Sequence, residues 1–293
     1  MTEHLPVLAV VIPLLAAPLC IIIRHHIVVR IFAVLVAWVC TGISYTLLRT
    51  VQTTGEPISY MLGGWAAPYG IEYRVDITNA YVAIIVSFLS AVILAFGQGR
   101  AGSVINRDRV YLYYAVIMLS ITGLLGMTLT GDAFNIFVFL EISSLSTYTL
   151  VALGKGRRAK MAAYSYLIIG TIGGTFFLLG IGLMYQMTGT LNIADLHDQL
   201  ANIGHLRTIK VAFVFLFVGG GIKLAVFPLH QWLPNAYAYA PSVVSALLAS
   251  TATKVGYYLL LRIVFTIFGV AFVFGEMHMG MVLVPLSLMA MFT

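Results

Sequence analysis

Glu141, Lys223 and Lys254 each lie inside an apolar stretch long enough to cross a bilayer, in a chain of 293 residues of which 9% are charged. A charge at bilayer depth costs about 2.5–3.5 kcal/mol even on insertion scales, so it persists mainly where it is paired or lines a polar path. One acid and two bases in such positions point to movement of a proton or an ion. Glu141 falls about nine residues, or roughly 13 Å, into its apolar run, too deep for a carboxylate to reach the interface easily. Ser144 at i+3 and Tyr148 at i+7 share its helical face and make a polar stripe of it. Lys223 follows three consecutive glycines in Val218-Gly-Gly-Gly-Ile-Lys223 and precedes Pro228. That bracketing predicts an interrupted helix, whose freed backbone groups form ion sites in transporters. Lys254 follows Ser250, Thr251 and Thr253, and Ser250 and Lys254 at i, i+4 share a face on which hydroxyls and water could form a hydrogen-bonded chain. Each residue also has a structural reading: an interhelical hydrogen bond for Glu141, an ordinary kink at Lys223, and a side chain reaching the nearer interface for Lys254.

His230, in Pro228-Leu-His-Gln-Trp-Leu-Pro234, carries an imidazole, the side-chain type suited to exchanging protons at physiological pH, and is either a proton access or relay group or the tether of a Pro-rich turn. Ser144, Tyr148 and Ser250 are further relay candidates. Asp132 after Gly131 suits the N-cap of a helix. Gly170 and Gly174 form a small-xxx-small pair, read as close helix packing in preference to a ligand role. Cys20 and Cys40 both fall in apolar runs, so neither a disulfide framework nor metal-ligand spacing can be drawn, and no metal or cofactor is expected. There is no nucleotide-binding loop, HExxH or CxxC, and no long hydrophilic region to house a soluble active site. The chain is therefore not expected to be an enzyme; a membrane-embedded transferase using His230 is the remaining enzymatic alternative.

The elements that must position these residues follow from composition. With 61% hydrophobic residues and a mean hydropathy of +1.00, the chain reads as an all-α polytopic membrane protein. Apolar runs near 5–23, 27–48, 77–97, 110–130, 132–153, 161–187, 208–228, 242–262 and 279–293 predict eight spanning helices and a shorter ninth. Residues 263–275 could extend the eighth span, lie along the interface or form a separate helix. The first run carries Glu3 and His4 instead of a basic leader, so it reads as a membrane helix and not a removed signal. Arg24, Arg30, Arg100, Arg107, Arg109, Lys155, Arg157, Arg158 and Lys160 share one side if the spans alternate; that side is expected to be cytoplasmic, with the N-terminus outside. The net charge of +6 is accounted for by this topology and not by nucleic-acid binding. Residues 49–76 read as a folded interfacial loop anchored by Trp65 and Tyr69. In 188–206, Leu191, Ile193, Leu196, Leu200 and Ile203 recur at helical spacing and predict a short amphipathic surface helix.

Three segments carry a family resemblance: Thr130-Gly-Asp-Ala-Phe-Asn-Ile-Phe-Val-Phe-Leu-Glu141, Thr188-Gly-Thr-Leu-Asn-Ile-Ala-Asp-Leu196 and Lys223-Leu-Ala-Val-Phe-Pro-Leu-His-Gln-Trp-Leu-Pro-Asn-Ala-Tyr237. They resemble the antiporter-like membrane subunits shared by Mrp cation/proton antiporters and respiratory complex I, and the likeness runs along nearly the whole chain. Gly64-Trp-Ala-Ala-Pro-Tyr-Gly-Ile71 is similar to the D subunit of Mrp antiporters. The resemblance implies that Glu141 is the carboxylate of the fifth helix, Lys223 the lysine of the broken seventh and Lys254 the central lysine of the eighth. It implies further that Glu141 and Lys223 form a buried pair whose opening and closing changes the lysine's proton affinity and sends the proton toward Lys254.

Such subunits are inverted repeats, and this chain ends at Thr293 within an apolar run, so the resemblance implies one repeat and a truncated start of the next, as a fragment or with a split partner. The expected division is 1–109 for the N-terminal helices, 110–275 for the first repeat with the buried charges, and 276–293 for the start of the second. The expected function is proton translocation in a multi-subunit Na+/H+ antiporter of a bacterial-type inner membrane. Its partners would be other membrane subunits, protons, a monovalent cation and the lipid bilayer, with no nucleic acid. The alternatives are a proton-pumping subunit of an NADH dehydrogenase or membrane-bound hydrogenase complex, and a non-conducting scaffold or fragment.

Overall fold

Long apolar runs become helices where residues at their ends satisfy or stop the free backbone groups. In the computed structural model, which describes residues 2–97 and 109–292, α1 (Leu5–Ile23) has Pro6 in its first turn and stops at Arg24. Arg100 and Arg107 of the basic loop lie outside the described residues. The 29-residue α2 (His26–Thr54) closes on Gly55, whose φ of 71° is the left-handed turn that glycine adopts without a Cβ penalty. α3 (Ile77–Phe96) starts with a capping box: Asn79 N donates to Asp76 Oδ1 at 2.9 Å, and Asp76 N donates to Asn79 Oδ1 at 2.7 Å. α4 (Val110–Leu129) is buried along most of its length. α5 (Ala133–Ala152) is capped by Asp132, which accepts from Asn135 N at 2.7 Å, the role its position after Gly131 predicts. Burial pushes the Asp132 carboxyl above its ordinary value, against the backbone hydrogen bonds of the cap.

Next come α6 (Gly156–Thr188), α7 (Ile193–Ile203), α8 (Arg207–Leu224) and α9 (Trp232–Tyr239). α10 (Ser242–Ile267) contains two π-helical stretches, Leu248–Ala252 and Arg262–Ile267, and α11 (Met279–Met291) follows. Seven of the described helices, α1 to α6 and α10, are long and apolar enough to cross a membrane. Of the two other expected spans, α8 has 18 residues but carries Arg207, Lys210 and Lys223, and α11 has 13. Exposed side chains such as Leu15, Ile22, Leu35, Ile172 and Met281 give the outer faces of these helices an apolar coat suited to lipid.

The two ends of the bundle are tied differently. Residues 49–76, expected as an interfacial loop, are the last turn of α2 followed by an antiparallel hairpin. Its strands are β1 (Ile58–Met61) and β2 (Glu72–Val75), paired Ile58 to Val75 and Met61 to Glu72. The hairpin pairs onward through the bridge Tyr73–Thr130, and Asp132 bridges to Asn192. Glu72 is buried there: it accepts from Ser59 Oγ at 2.6 Å and from Asn192 Nδ2 at 2.7 Å. At the base-rich end Gly154 packs against Tyr239 O and Gly97 against Val243, so α3, α5, α9 and α10 meet there.

The amphipathic helix expected in 188–206 is α7, which buries Ile193, Leu196 and Leu200 against the bundle. Residues 263–275 divide: α10 continues to Ile267, Gly269 with φ of 78° breaks it, and a π-helical stretch, Ala271–Glu276, follows. Lys210 of α8 holds that stretch by an ion pair to Glu276 at 2.8 Å and keeps the Glu276 carboxyl below the usual carboxylate range.

Candidate proton-transfer site

The bracketing of Lys223 by Gly219–Gly221 and Pro228 predicts an interrupted helix, and the break falls within that bracket: α8 runs through the three glycines and turns at Ala225, one residue after Leu224, with a left-handed φ of 64°. The glycines serve closeness: a Cβ at Gly219 would sit 2.7 Å from Gly173 O, and one at Gly220 would sit 2.8 Å from Leu260 Cδ2. Lys223, beside these closely packed helices, is buried, with 7% of it exposed. The carbonyls freed at the break are still satisfied. Ile222 O accepts from Ala225 N at 3.1 Å and Trp232 Nε1 at 3.0 Å, and Gly221 O accepts from Val226 N at 2.9 Å.

The Lys223 ammonium is held by α5. Its Nζ donates to Ser144 Oγ at 2.7 Å and to Ser143 Oγ at 3.2 Å, two of the three bonds an ammonium can make. Glu141, one turn earlier on α5, is half-buried and close enough to Lys223 for their charges to interact. The two do not form an ion pair within 4.0 Å; among the described residues such pairs are Lys210–Glu276 and Arg262–Asp76. The buried pair implied by the family resemblance is therefore open, with serine hydroxyls taking the carboxylate's place.

Gly170 and Gly174, read from spacing as helix packing, border this site. A Cβ at Gly174 would fall 2.0 Å from Glu141 Oε1, and one at Gly170 would fall 1.8 Å from Tyr148 Oη. The two glycines make room on α6 for the polar stripe of α5. Beside them a cavity of about 10 Å³, close to the size that admits one water molecule, is bordered by Ser144, Tyr148, Tyr166 and Lys223.

The structure thus brings together Glu141, Ser144, Tyr148 and Lys223. It sets Lys254 apart: this lysine is exposed and its Nζ donates to Ala249 O at 2.5 Å and Thr253 Oγ1 at 3.5 Å. The expected Ser250–Lys254 pairing is absent, since Ser250 Oγ donates to Leu247 O at 3.2 Å. The physical reason is the π-turn at Leu248–Ala252, which widens the backbone repeat so that i and i+4 no longer stand one above the other. His230 lies in the link between α8 and α9, its Nδ1 buried without a hydrogen-bond partner, and no described hydrogen bond joins it to the lysine site. Ser143, Tyr166 and Trp232 were not singled out from the sequence, although Tyr166, Gly170 and Gly174 do recur at i, i+4 and i+8 on one face of α6.

Comparison with known proteins places the chain in a family. The NADH:quinone oxidoreductase/Mrp antiporter transmembrane family matches residues 130–293. The N subunit of the NADH-quinone oxidoreductase of Desulforudis audaxviator is 42% identical over 271 residues, covering 90% of this chain and 53% of that protein. The D subunit of the Na(+)/H(+) antiporter of Bacillus subtilis is 34% identical over 263 residues, covering 89% and 52%. A chain of the membrane-bound sulfane sulfur reductase, an archaeal respiratory membrane complex, superposes with a TM-score of 0.82 at 30% identity, covering 89% of this chain and 53% of that one. A chain of the Mrp complex of Dietzia sp. DQ12-45-1b gives 0.82 at 27%, covering 91% and 49%. The chain spans about half the length of the relatives it matches. From the match over more than half its residues and the shared helical architecture, the chain belongs to the transmembrane NADH:quinone oxidoreductase/Mrp antiporter family.

Proposed function

We propose that the chain is a proton-translocating subunit, and not itself an enzyme, of a multi-subunit Na+/H+ antiporter in a bacterial-type inner membrane, with its N-terminus outside. The observation that carries this reading is Lys223, an ammonium buried at the end of α8, held by Ser143 and Ser144 with Glu141 one turn away. An ammonium so placed has two sets of partners to choose between. Drawing Glu141 toward it or leaving it to the serines changes how firmly it holds its proton, and so makes a site that can load and unload. Lys254 on α10 is the next base along the path, with Tyr148 and Ser144 beside the loading site and His230 at the link after α8. Residues 110–275 carry these groups.

The test is sodium-driven proton movement in everted vesicles containing the complete assembly. Lys223→Ala and Glu141→Ala should each lower it by about tenfold or more, the scale on which positioned proton-transfer groups contribute. Unchanged flux in both variants with normal assembly would sink the reading and favour a scaffold. The identity of 42% with a protein named as the N subunit of an NADH-quinone oxidoreductase favours a second reading, a proton-pumping subunit of a redox complex. Purification of the assembly separates the two: flavin or iron–sulfur subunits would favour the redox complex, and small membrane subunits alone the antiporter.

A further inference from the structure

The end of α8 is bonded more heavily than its break requires. Ile222, the residue before Lys223, has its carbonyl oxygen bonded twice, by Ala225 N at 3.1 Å and by the indole Nε1 of Trp232 at 3.0 Å. The first bond alone satisfies the freed carbonyl. The second comes from the start of α9, from a side chain that is 3% exposed. Trp232 is held in turn by Tyr166 of α6, with ring centroids 4.0 Å apart and planes 3° from parallel. Tyr166 meets the ring of Tyr148 of α5 edge to face at 4.4 Å, and its Oη accepts from Thr147 Oγ1 of the same helix at 3.4 Å. Tyr148 stands one turn after Ser144, the serine that accepts from Lys223 Nζ at 2.7 Å. These contacts close a ring. It runs from Lys223 through its backbone to Ile222 O, across Trp232, Tyr166 and Tyr148 to α5, and from Ser144 back to the ammonium. Four of its members, Ile222, Tyr166, Tyr148 and Ser144, border the small cavity beside the lysine.

We propose that Trp232 is a positioning residue of the proton-transfer site: by clamping the Ile222 carbonyl it holds Lys223 on Ser143 and Ser144 and off Glu141. The inference rests on the proton-transfer reading above and adds to it the residue that keeps the Glu141–Lys223 pair open. The ammonium spends two of its three hydrogens on the serines. Two further acceptors stand near the third: the Glu141 carboxylate, one turn earlier on α5, and the Ile222 carbonyl, were the indole to leave it. Trp232 withholds both. It occupies the carbonyl directly, and it fixes the last turn of α8 to the aromatic ladder so that the lysine does not slide toward the carboxylate. The indole touches neither the moving proton nor a group that takes it, so it acts through Lys223 alone.

Packing alone does not account for the indole. Phenylalanine would also stack on Tyr166, and the carbonyl already has Ala225 N. The end of α8 is gripped from two other sides as well: a Cβ at Gly173 of α6 would lie 2.9 Å from Ile222 Cγ2, and one at Gly256 of α10 would lie 3.1 Å from Leu224 Cα. Those grips place the helix, and the indole bond fixes the carbonyl beside the lysine. The ionisable groups around the ammonium are Glu141 and Tyr148 of α5 and Tyr166 of α6, while α10 meets the backbone of Lys223 at Gly256. Among them Glu141 is the charge whose approach makes an ammonium hold its proton more firmly.

The test uses the chain in its complete membrane assembly, with proton flux in vesicles measured as a function of pH for Trp232→Phe and Lys223→Ala. A third variant carries 3-benzothienylalanine at position 232, which keeps the bicyclic shape of the indole and lacks its N–H. It keeps the test decisive if Trp232→Phe assembles poorly. The expected result in both position-232 variants is a pH of half-maximal flux that moves upward by about one unit, because a lysine that gains an acceptor unloads at higher pH. A residue needed only for packing would change the amount of flux and leave that pH where it is. An unchanged or lowered pH of half-maximal flux in the benzothienyl variant, or no flux at any pH despite normal assembly, would overturn the positioning role and leave the proposed function standing. Wild-type flux in Lys223→Ala would instead overturn the function on which that role depends.

Discussion

What sets Lys223 apart from the other bases is its surroundings, since it is the same ammonium as Lys254, which lies exposed one helix away. Three neighbours define it: serine hydroxyls at bonding distance, a carboxylate within charge reach, and glycines that leave room for both. The role of Gly174 can be isolated because its new methyl group would meet Phe137 only at an ordinary contact distance of 3.8 Å and would crowd the carboxyl of Glu141. Gly174→Ala forces that flexible side chain aside without touching the backbone, and alanine is the better helix former by about 1 kcal/mol, so assembly should survive. Displacing the carboxylate should nevertheless lower proton flux by about tenfold or more, since catalytic groups lose heavily from shifts of about 1 Å. Gly182→Ala, where the new atom meets nothing within 4 Å, should leave flux unchanged in the same vesicle assay.

Among the elements, α8 shows how a break is placed. The glycines within it keep helical geometry because they are wedged against α6 and α10, and the chain turns at Ala225, a residue with a Cβ in a left-handed conformation. That conformation costs a non-glycine residue about 1–2 kcal/mol. Ala225→Gly should therefore raise the thermal unfolding temperature of the detergent-solubilised protein by an amount equivalent to about 1 kcal/mol, while the β-branched Ala225→Val should lower it. Equal unfolding temperatures in both variants would show that Ala225 is not held in the left-handed region. The π-turn of α10 is the second such device, rotating Lys254 away from Ser250 and toward Thr253.

Across the whole molecule, the bundle is cinched at its hairpin end. Arg262 of α10 pairs with Asp76, the N-cap of α3, and donates from Nε to Tyr258 Oη at 2.7 Å and from Nη1 to Thr266 Oγ1 at 3.3 Å. Tyr258 Oη donates to Thr128 O of α4 at 3.0 Å, so one arginine connects three helices. The pair borders a cavity of about 400 Å³ lined also by Arg74, Asn79, His197 and Asp198. Its side chains are 15% and 32% exposed, between the surface case worth little and the buried case. A double-mutant cycle of Arg262→Met and Asp76→Asn followed by thermal unfolding should yield a coupling of about 1–3 kcal/mol. A coupling near zero would mean that the hairpin and α7 hold this end without the pair.

The membrane class, the long apolar helices, the cap at Asp132, the amphipathic helix in 188–206 and the isolation of Glu141 and Lys223 could be read from the chain, because each depends on local periodicity or on the cost of a charge in an apolar run. The hairpin, the burial of Glu72 and the π-turns could not, since strand pairing and bulged helical turns are settled by partners distant in sequence. The same limit applies at the site. Periodicity marks Gly170 and Gly174 as a close-packing face, but whether that face receives another backbone or a carboxylate depends on how α5 and α6 are offset. The types of the ionisable groups are local facts. Lys223 held by Ser143 and Ser144, Glu141 set against Gly174 and Lys254 left exposed are consequences of helix packing, which joins residues about 80 positions apart and which no local pattern encodes.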